Sequence, residues 1–545
     1  MSSESNPKKH ARSTSSDYVL RHPSTKRAKE IDQHPPYETL SSLVPVEAKH
    51  ADKKKNVLHW FRSKDLRMHD NKALHAASLK AKETGGSVIG MYLWTPKDIE
   101  WHGTSPARVD FILESLRLLQ KEVESEKKIS VKILTAEERN QKTERVLEFV
   151  KNEKNAIGSV YANFEYEVDE LRRDIAVARK LEEEGVGFEL FHDQTLMEPG
   201  VLVTGAGGPH KVFTPYHKAW LAETKAEKQL LNVVPEPEAN QGNAKDELKS
   251  LFGSEIPEAS ESKQFGSKEE KERIRKLWPA GHQAGMDRLD HFLSKKVKSY
   301  AAHRSEPAAD VSSRLSPYFA SGIIGLREVL AATTKANNGK HFDAGDKNID
   351  SWVREIVFRE FYRHIMVVLP HNSLNLPQNL KFDFVQWEDD EEGYKKWEEG
   401  KTGMPFVDAG MRQLNHEAYM HNRCRMNVSS YLRANLLIDY RRGERYFAEK
   451  LIDWDLCNNT QGWEPSYTVF NPVVQGEKCD PKGDFIRKWV PELKGVQGKA
   501  IFDPANRLGK KEFEALGYPR PHVEFAESAK RAKERYKADL AEADP

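Results

Sequence analysis

Cysteine is scarce: Cys424, Cys457 and Cys479 are the only three in 545 residues. Their spacing fits no metal-ligand motif, and three are too few for a disulfide framework. That excludes the small secreted scaffolds and points to a reducing compartment. Net charge is equally scarce. Lys and Arg number 85 against 84 Asp and Glu, a formal +1, so no global basicity announces a nucleic-acid binder. A near-neutral sum can still hide a basic groove, because steering depends on where the charge sits. No apolar run approaches membrane-spanning length, so no span is expected. No apolar h-region marks a secretory signal. No metal site is expected. No glycine-rich phosphate fingerprint follows the first apolar run, which removes the main support for a dehydrogenase.

What the chain does have is length, charge and tryptophan. Its 545 residues suffice for two or three domains. Charged residues make up 31%, and most of the 11 tryptophans lie between Trp278 and Trp489. Trp-rich helical domains often hold aromatic cofactors, although Trp is also ordinary core filler. Residues 1–55 are rich in Ser, Pro, Lys and His without an apolar period and read as a disordered tail. Two basic clusters, Pro7-Lys8-Lys9 and Lys26-Arg27-Ala28-Lys29, fit a nuclear address or a merely solvated tail. A mitochondrial address is the weaker alternative, because acidic residues argue against it.

Apolar runs then recur at 56–62, 88–94, 131–134, 159–163 and 187–191, alternating with helical patterns such as Pro106 to Glu126. Strands alternating with helices imply an α/β doubly wound parallel sheet over residues 56–197, with ligands at the carboxyl ends of the strands. Residues 198–284 are looser. Gly205-Ala206-Gly207-Gly208, Pro235-Glu236-Pro237 and the charged run 268–275 read as an interdomain connector. Residues 285–525 read as a large all-α domain, and 526–545 as a C-terminal tail.

The polar constellations sit in the helical half. His421-Asn422-Arg423-Cys424-Arg425-Met426 opens an apolar helical run through Tyr431, Leu432, Leu436, Leu437 and Ile438. Asp453-Trp454-Asp455, with Asn458, Asn459 and Trp463, closes it. Buried arginines, carboxylates and amides are costly unless paired with one another or with a ligand. The chemistry alone fits either a satisfied core network or a lined pocket. Ser312 and Ser313 precede a helix and offer hydroxyls and free N–H groups to a phosphate, or simply an N-cap. Trp352, Glu355 and Arg359 share one helix face. Such a Glu–Arg pair is usually a surface pair, but here it lies among large apolar residues.

Several longer motifs accompany these. They are Trp60-Phe61-Arg62 with Asp65-Leu66-Arg67 and Asp70-Asn71; Tyr166 to Glu170 with Arg173-Asp174; and Phe213 to Tyr216 with Trp220. Further on come Ser312 to Gly322, Trp352 to Tyr362, and Trp397-Glu398 with Gly400 to Leu414. In this order and spacing they resemble the photolyase/cryptochrome family, most closely the class I cyclobutane pyrimidine dimer photolyases of fungal type. The resemblance covers about residues 56–525. It implies an α/β antenna domain joined to an all-α FAD-binding domain. It also implies light-driven repair, in which excited reduced FAD donates an electron to a flipped-out pyrimidine dimer. The alternative is a cryptochrome-like blue-light photoreceptor with weak or no repair.

By resemblance, FAD is held by Tyr300, Ser312, Ser313, Arg314, Leu315, Ser316, Trp352, Glu355, Arg359, Asn422, Arg425, Asp453, Asp455 and Asn459. Glu355 hydrogen-bonds the dimer, Asn422 and Met426 face its pocket, and Asn459 stands at the flavin N5. Arg425 and Asp453 pair beside the ring, and Asp455 accepts from the ring imide. Arg304 and Arg423 match DNA-phosphate contacts. Asp169 and Glu170 match antenna contacts, for methenyltetrahydrofolate in preference to deazaflavin; the other reading of the two is a solvated helix start. Trp463, Tyr440 and Trp387 occupy the electron-relay positions. UV-damaged DNA is the implied partner, without a membrane, for a monomer in the nucleus.

The chain departs from the family pattern at five places. Phe358 stands for a dimer-stacking Trp, and Thr468 for a phosphate-binding Arg. The loop after Trp463 is short and lacks a wall Trp. Tyr440 replaces the middle relay Trp, so the relay is expected to stall at Trp463. Trp454 replaces Gly and is either a bypass or a packing substitute.

Overall fold

The computed structural model describes residues 22–49 and 53–545. Among the described residues there are five strands: β1 (Asn56–Phe61), β2 (Val88–Trp94), β3 (Ser130–Thr135), β4 (Ile157–Asn163) and β5 (Gly187–Phe191). They form one parallel sheet in the order β3-β2-β1-β4-β5, with Val57 paired to Val88 on one side and to Ser159 on the other. All seven residues of β4 are buried, as a strand covered by helices on both faces requires. The crossover helices start and stop on local signals. Asn71 accepts a hydrogen bond from the Leu74 N–H at the head of helix Lys72–Thr84, and Gly85 ends it at φ 67°. Ser105 caps the Pro106–Glu126 helix, with proline in its first turn.

The expectation that residues 1–55 are a disordered tail is not met where the structure describes them. Helices Thr25–Gln33 and Pro36–Leu43 bury Ala28, Ile31, Tyr37 and Leu40. Val46 pairs antiparallel with Phe188 and covers the β5 edge. These helices carry only a few apolar residues each, too few to show a period. Lys26, Arg27 and Lys29 are exposed around the buried Ala28; Pro7-Lys8-Lys9 lies outside the described residues. The C-terminal tail is likewise a helix, Phe525–Glu542. Its Ala532, Tyr536 and Leu540 pack with Phe382, Val385, Ala434 and Leu437.

The helical half packs onto the sheet's carboxyl end through paired charges. Asp70, just past β1, accepts from Arg327 Nε at 2.6 Å and from the Arg327 backbone N–H at 3.0 Å. Arg67 and Arg327 both pair with Asp193. Buried Glu360, on helix Lys347–Val368, accepts from the Leu196 and Met197 N–H groups at 2.7 and 2.9 Å and from Trp220 Nε1 at 2.9 Å. That carboxylate anchors the helix bearing Trp352, Glu355 and Arg359 to the end of the sheet domain and, through Trp220, to the connector. Among the described residues, no helix is long and apolar enough to cross a membrane.

Candidate cofactor and substrate site

The centre is a carboxylate cluster that folding assembles from distant segments. Asp453 Oδ2 accepts from Ser316 Oγ at 2.6 Å and from Arg425 Nη2 at 2.7 Å. Its Oδ1 is buried without a partner, an arrangement that leaves one acceptor unspent. Arg425 also donates to the Met420 carbonyl at 2.8 Å, and Tyr419 lies 5.4 Å from Arg425 and 5.5 Å from Arg314. The expected Arg425–Asp453 pair is therefore present, with Ser316 on the same oxygen. Arg314 sits at φ 52° in the loop of Ser312 and Ser313. Leu315 is buried just before the short Ser316–Ala320 helix.

Asp455 caps the next short helix, Leu456–Gly462. Its Oδ1 accepts from Arg363 Nη2 at 3.1 Å, and Arg363 Nη1 reaches Asn458 Oδ1 at 3.1 Å. Burial works against the Asp455 charge, but Arg363, Lys64 and Arg359 hold its pKa below the ordinary carboxylate value. Sequence reasoning missed Arg363, one turn beyond Arg359, although that spacing could have marked it. Asn459 is buried and donates to the Glu444 carbonyl at 3.0 Å.

On helix Lys347–Val368, Trp352 is buried and meets Tyr300 edge-on at 6.2 Å. Arg359 donates to the carbonyls of Gln194 at 2.7 Å and Phe319 at 3.2 Å. Burial and the neighbouring Arg363 pull its pKa down to about 9. A cation held this way, on carbonyls alone, is poised for an anion. Glu355 pairs with Arg304, and Arg423 reaches the adjacent Ser305 Oγ at 3.0 Å and Met426 Sδ at 3.6 Å. Arg304, Glu355, Arg423 and Met426 are thus brought side by side. Asn422 is exposed at the start of helix Asn422–Ser430. Phe358 is stacked on Phe213, with centroids 3.4 Å apart and planes 7° apart. Arg433 anchors the short loop, donating to the carbonyls of Ser466 at 2.7 Å and Thr468 at 3.1 Å.

The aromatic groups divide into separate sets. Trp463 meets Trp397 at 6.2 Å and Phe447 at 4.9 Å. Tyr440 meets Trp387 at 6.2 Å. Trp454 meets His102 at 6.3 Å and walls a cavity at the carboxyl ends of β1 and β2. Lys64, Asp98, Arg108, Glu165, Glu167, Glu170 and Arg173 line the same cavity. Burial, then Glu167 and Glu165, push Glu170 up to about 8, and Glu167 Oε2 has no partner. Asp169 does not join Glu170 in the cavity lining: it pairs with Arg139 at 3.1 Å. Successive residues at a helix start point about 100° apart, which turns Asp169 toward Arg139 while Glu170 faces the cavity.

Two family profiles match this chain. One, described as the FAD binding domain of DNA photolyase, covers residues 352–538, and one described as DNA photolyase covers 57–238. A deoxyribodipyrimidine photo-lyase of Neurospora crassa is 38% identical over 532 residues, spanning 93% of this chain and 86% of that protein. Its counterpart in Escherichia coli is 34% identical over 495 residues, spanning 88% and 98%. The crystal structure of a bacterial class III photolyase from Agrobacterium tumefaciens superposes with a TM-score of 0.76 at 30% identity, covering 90% of this chain and 98% of that one.

Proposed function

Since this chain belongs to the photolyase/cryptochrome family, we propose that it is a deoxyribodipyrimidine photo-lyase: it binds FAD and splits cyclobutane pyrimidine dimers in UV-damaged DNA. The observation that carries the reading is the Asp453 cluster, where a buried carboxylate already bound by Arg425 and Ser316 keeps one oxygen unpaired. A ligand N–H would satisfy that atom. Bound FAD, when reduced and excited by blue light, supplies the electron that opens the dimer and then takes it back. The residues of this chain fit such a group. The loop hydroxyls of Ser312 and Ser313, with Arg314, Leu315 and Ser316 after them, suit a diphosphate and its ribityl chain. Tyr300 and Trp352 wall that end. Arg359, a half-buried cation without a carboxylate bond, stabilises a negatively charged ring. Asp455 accepts from the ring imide while Arg363 keeps it ionised, and Asn459 closes the ring edge. Glu355, Asn422 and Met426 receive the flipped-out dimer. Arg304 and Arg423 take the phosphates of its strand.

Glu355→Gln tests the assignment. The variant should keep its flavin and lose repair yield per bound flavin. Loss of flavin with yield unchanged would move Glu355 from the dimer to the cofactor. One observation favours a second reading, a photoreceptor with weak repair: Phe213 already covers the ring of Phe358. The same assay separates the two.

The Glu170 cavity is the place for an antenna chromophore. Its carboxyl, neutral below about pH 8, can donate a hydrogen bond to a ring carbonyl. Mass measurement of the extracted chromophore distinguishes a folate from a deazaflavin. The exposed Lys26, Arg27 and Lys29 support a nuclear address. A fluorescent fusion with all three changed to alanine should lose nuclear enrichment.

A further inference from the structure

We propose that, when the oxidised cofactor is photoreduced, the electron vacancy on Trp463 is filled through Trp397 from Tyr394, with Glu398 taking the Tyr394 proton. The alternative, through Tyr440 to Trp387, is closed. This rests on the FAD reading and concerns only how this chain's own residues supply the electron.

The geometry of the two routes differs first in contact. Trp463 and Trp397 meet edge to face at 6.2 Å, and Trp397 stacks on Tyr394 at 5.8 Å and 26°. Tyr440 meets Trp387 at 6.2 Å, but no ring contact joins Tyr440 to Trp463 among the described residues.

The routes differ also in where a proton can go. Oxidised tyrosine is strongly acidic, and a buried ring cation is costly, so a tyrosine passes an electron readily only if its proton has an acceptor. The Tyr440 hydroxyl is buried without a hydrogen-bond partner. Tyr446, whose ring lies 5.4 Å from that of Trp397, rests its hydroxyl on the Asn415 amide oxygen and the Glu398 carbonyl, neither of which is a base. Tyr394 differs. Its hydroxyl donates a long hydrogen bond to the Arg442 carbonyl at 3.4 Å and lies close enough to the Glu398 carboxylate, one helical turn away, to lower that group's pKa. Burial raises the Glu398 pKa, which suits a proton acceptor. Arg442 lies over the Tyr394 ring at 3.7 Å, and its charge disfavours a ring cation, so the oxidised phenol is driven to release its proton. Tyr394 is half-buried on helix Glu391–Glu399, within reach of a soluble reductant.

The electrons balance along this route. Trp463 gives one electron to the photoexcited cofactor, Trp397 gives one to Trp463, and Tyr394 gives one to Trp397. The phenolic proton moves to Glu398 and leaves a neutral tyrosyl radical. A soluble thiol returns a hydrogen atom to that radical and becomes a thiyl radical, two thiyl radicals from two such events combine to one disulfide, and Glu398 releases its proton to solvent.

The test is a blue flash on oxidised holoenzyme, followed by transient absorption and by electron paramagnetic resonance of frozen samples. The unmodified protein should give a long-lived tyrosyl signal. Tyr394→Phe and Glu398→Gln should each lower it at least tenfold while flavin content stays constant. Tyr440→Phe should leave it unchanged. Trp397→Phe should abolish it; if that variant loses cofactor, the Tyr394 and Glu398 variants decide. A tyrosyl signal kept in Tyr394→Phe and lost in Tyr440→Phe would overturn the route. So would a signal unmoved by Glu398→Gln. No bound flavin in any variant, the unmodified protein included, would instead sink the FAD reading.

Discussion

Asp453→Asn removes one charge and almost no volume. In the structure it leaves Arg425 facing an amide where a carboxylate accepted at 2.7 Å, while the Ser316 hydroxyl keeps an acceptor. Breaking a buried ion pair from one side costs ~3–5 kcal/mol. The Arg425 side chain is 25% exposed and keeps its bond to the Met420 carbonyl, so the low end, about 3 kcal/mol, applies. Unfolding in urea, followed by helix signal on flavin-free protein, should show a loss of this size. The flavin should suffer too, because the unpaired Oδ1 is the proposed acceptor. A cost of about 3 kcal/mol in binding is roughly a hundredfold in Kd. The double variant Asp453→Leu with Arg425→Met separates the two effects. Replacing both charges with apolar groups of similar bulk should restore most of the flavin-free stability and still fail to hold flavin. An unchanged urea midpoint and unchanged flavin affinity in Asp453→Asn would mean that the carboxylate neither holds Arg425 nor meets the flavin.

Other outcomes follow from the same geometry. Gly443→Ala would place a methyl group 2.2 Å from Trp463 Cη2 and 2.4 Å from Cζ3, an overpacking that should cost about 1–3 kcal/mol and shift the tryptophan emission; an unshifted spectrum would mean the indole has room to move. Burial pushes Asp193 up, but Arg67 and then Arg327 hold it down at about 2, against 3.8 when unfolded. Its stabilisation is therefore full above about pH 4 and lost as pH falls toward 2, worth roughly 2 kcal/mol. Urea unfolding across that window should lose most of its pH slope in Asp193→Asn, and an equal slope in both proteins would contradict the pairing. Arg423→Ala should weaken binding of dimer-containing DNA and lower the salt slope by about 1; a slope unchanged by the substitution removes Arg423 from the groove.

The sheet was legible because its strands are apolar runs buried on both faces, and the helix Pro106–Glu126 because Ser105, a proline and an apolar period coincide. The Asp453 cluster was legible in part. The Arg425 partner was expected, but Ser316 lies 137 residues away, and no local pattern encodes such an encounter. Arg363 on Asp455 and Phe213 on Phe358 were hidden for the same reason: each pairs elements that meet only after the chain folds. The N-terminal helices were hidden differently, because a helix that buries two or three side chains on a finished surface leaves almost no periodic signal. Asp169 shows the limit of carrying a role by position, since a neighbour in sequence turned away from the cavity that Glu170 lines.

The most direct measurement is illumination of the purified, reduced protein with an oligonucleotide carrying a single cyclobutane thymine dimer, following the return of thymine absorbance. Recovery is expected under blue light, none in the dark, and none with Glu355→Gln beyond a small residue. A protein that holds reduced flavin, binds the oligonucleotide and still leaves the dimer intact after prolonged illumination would contradict light-driven repair.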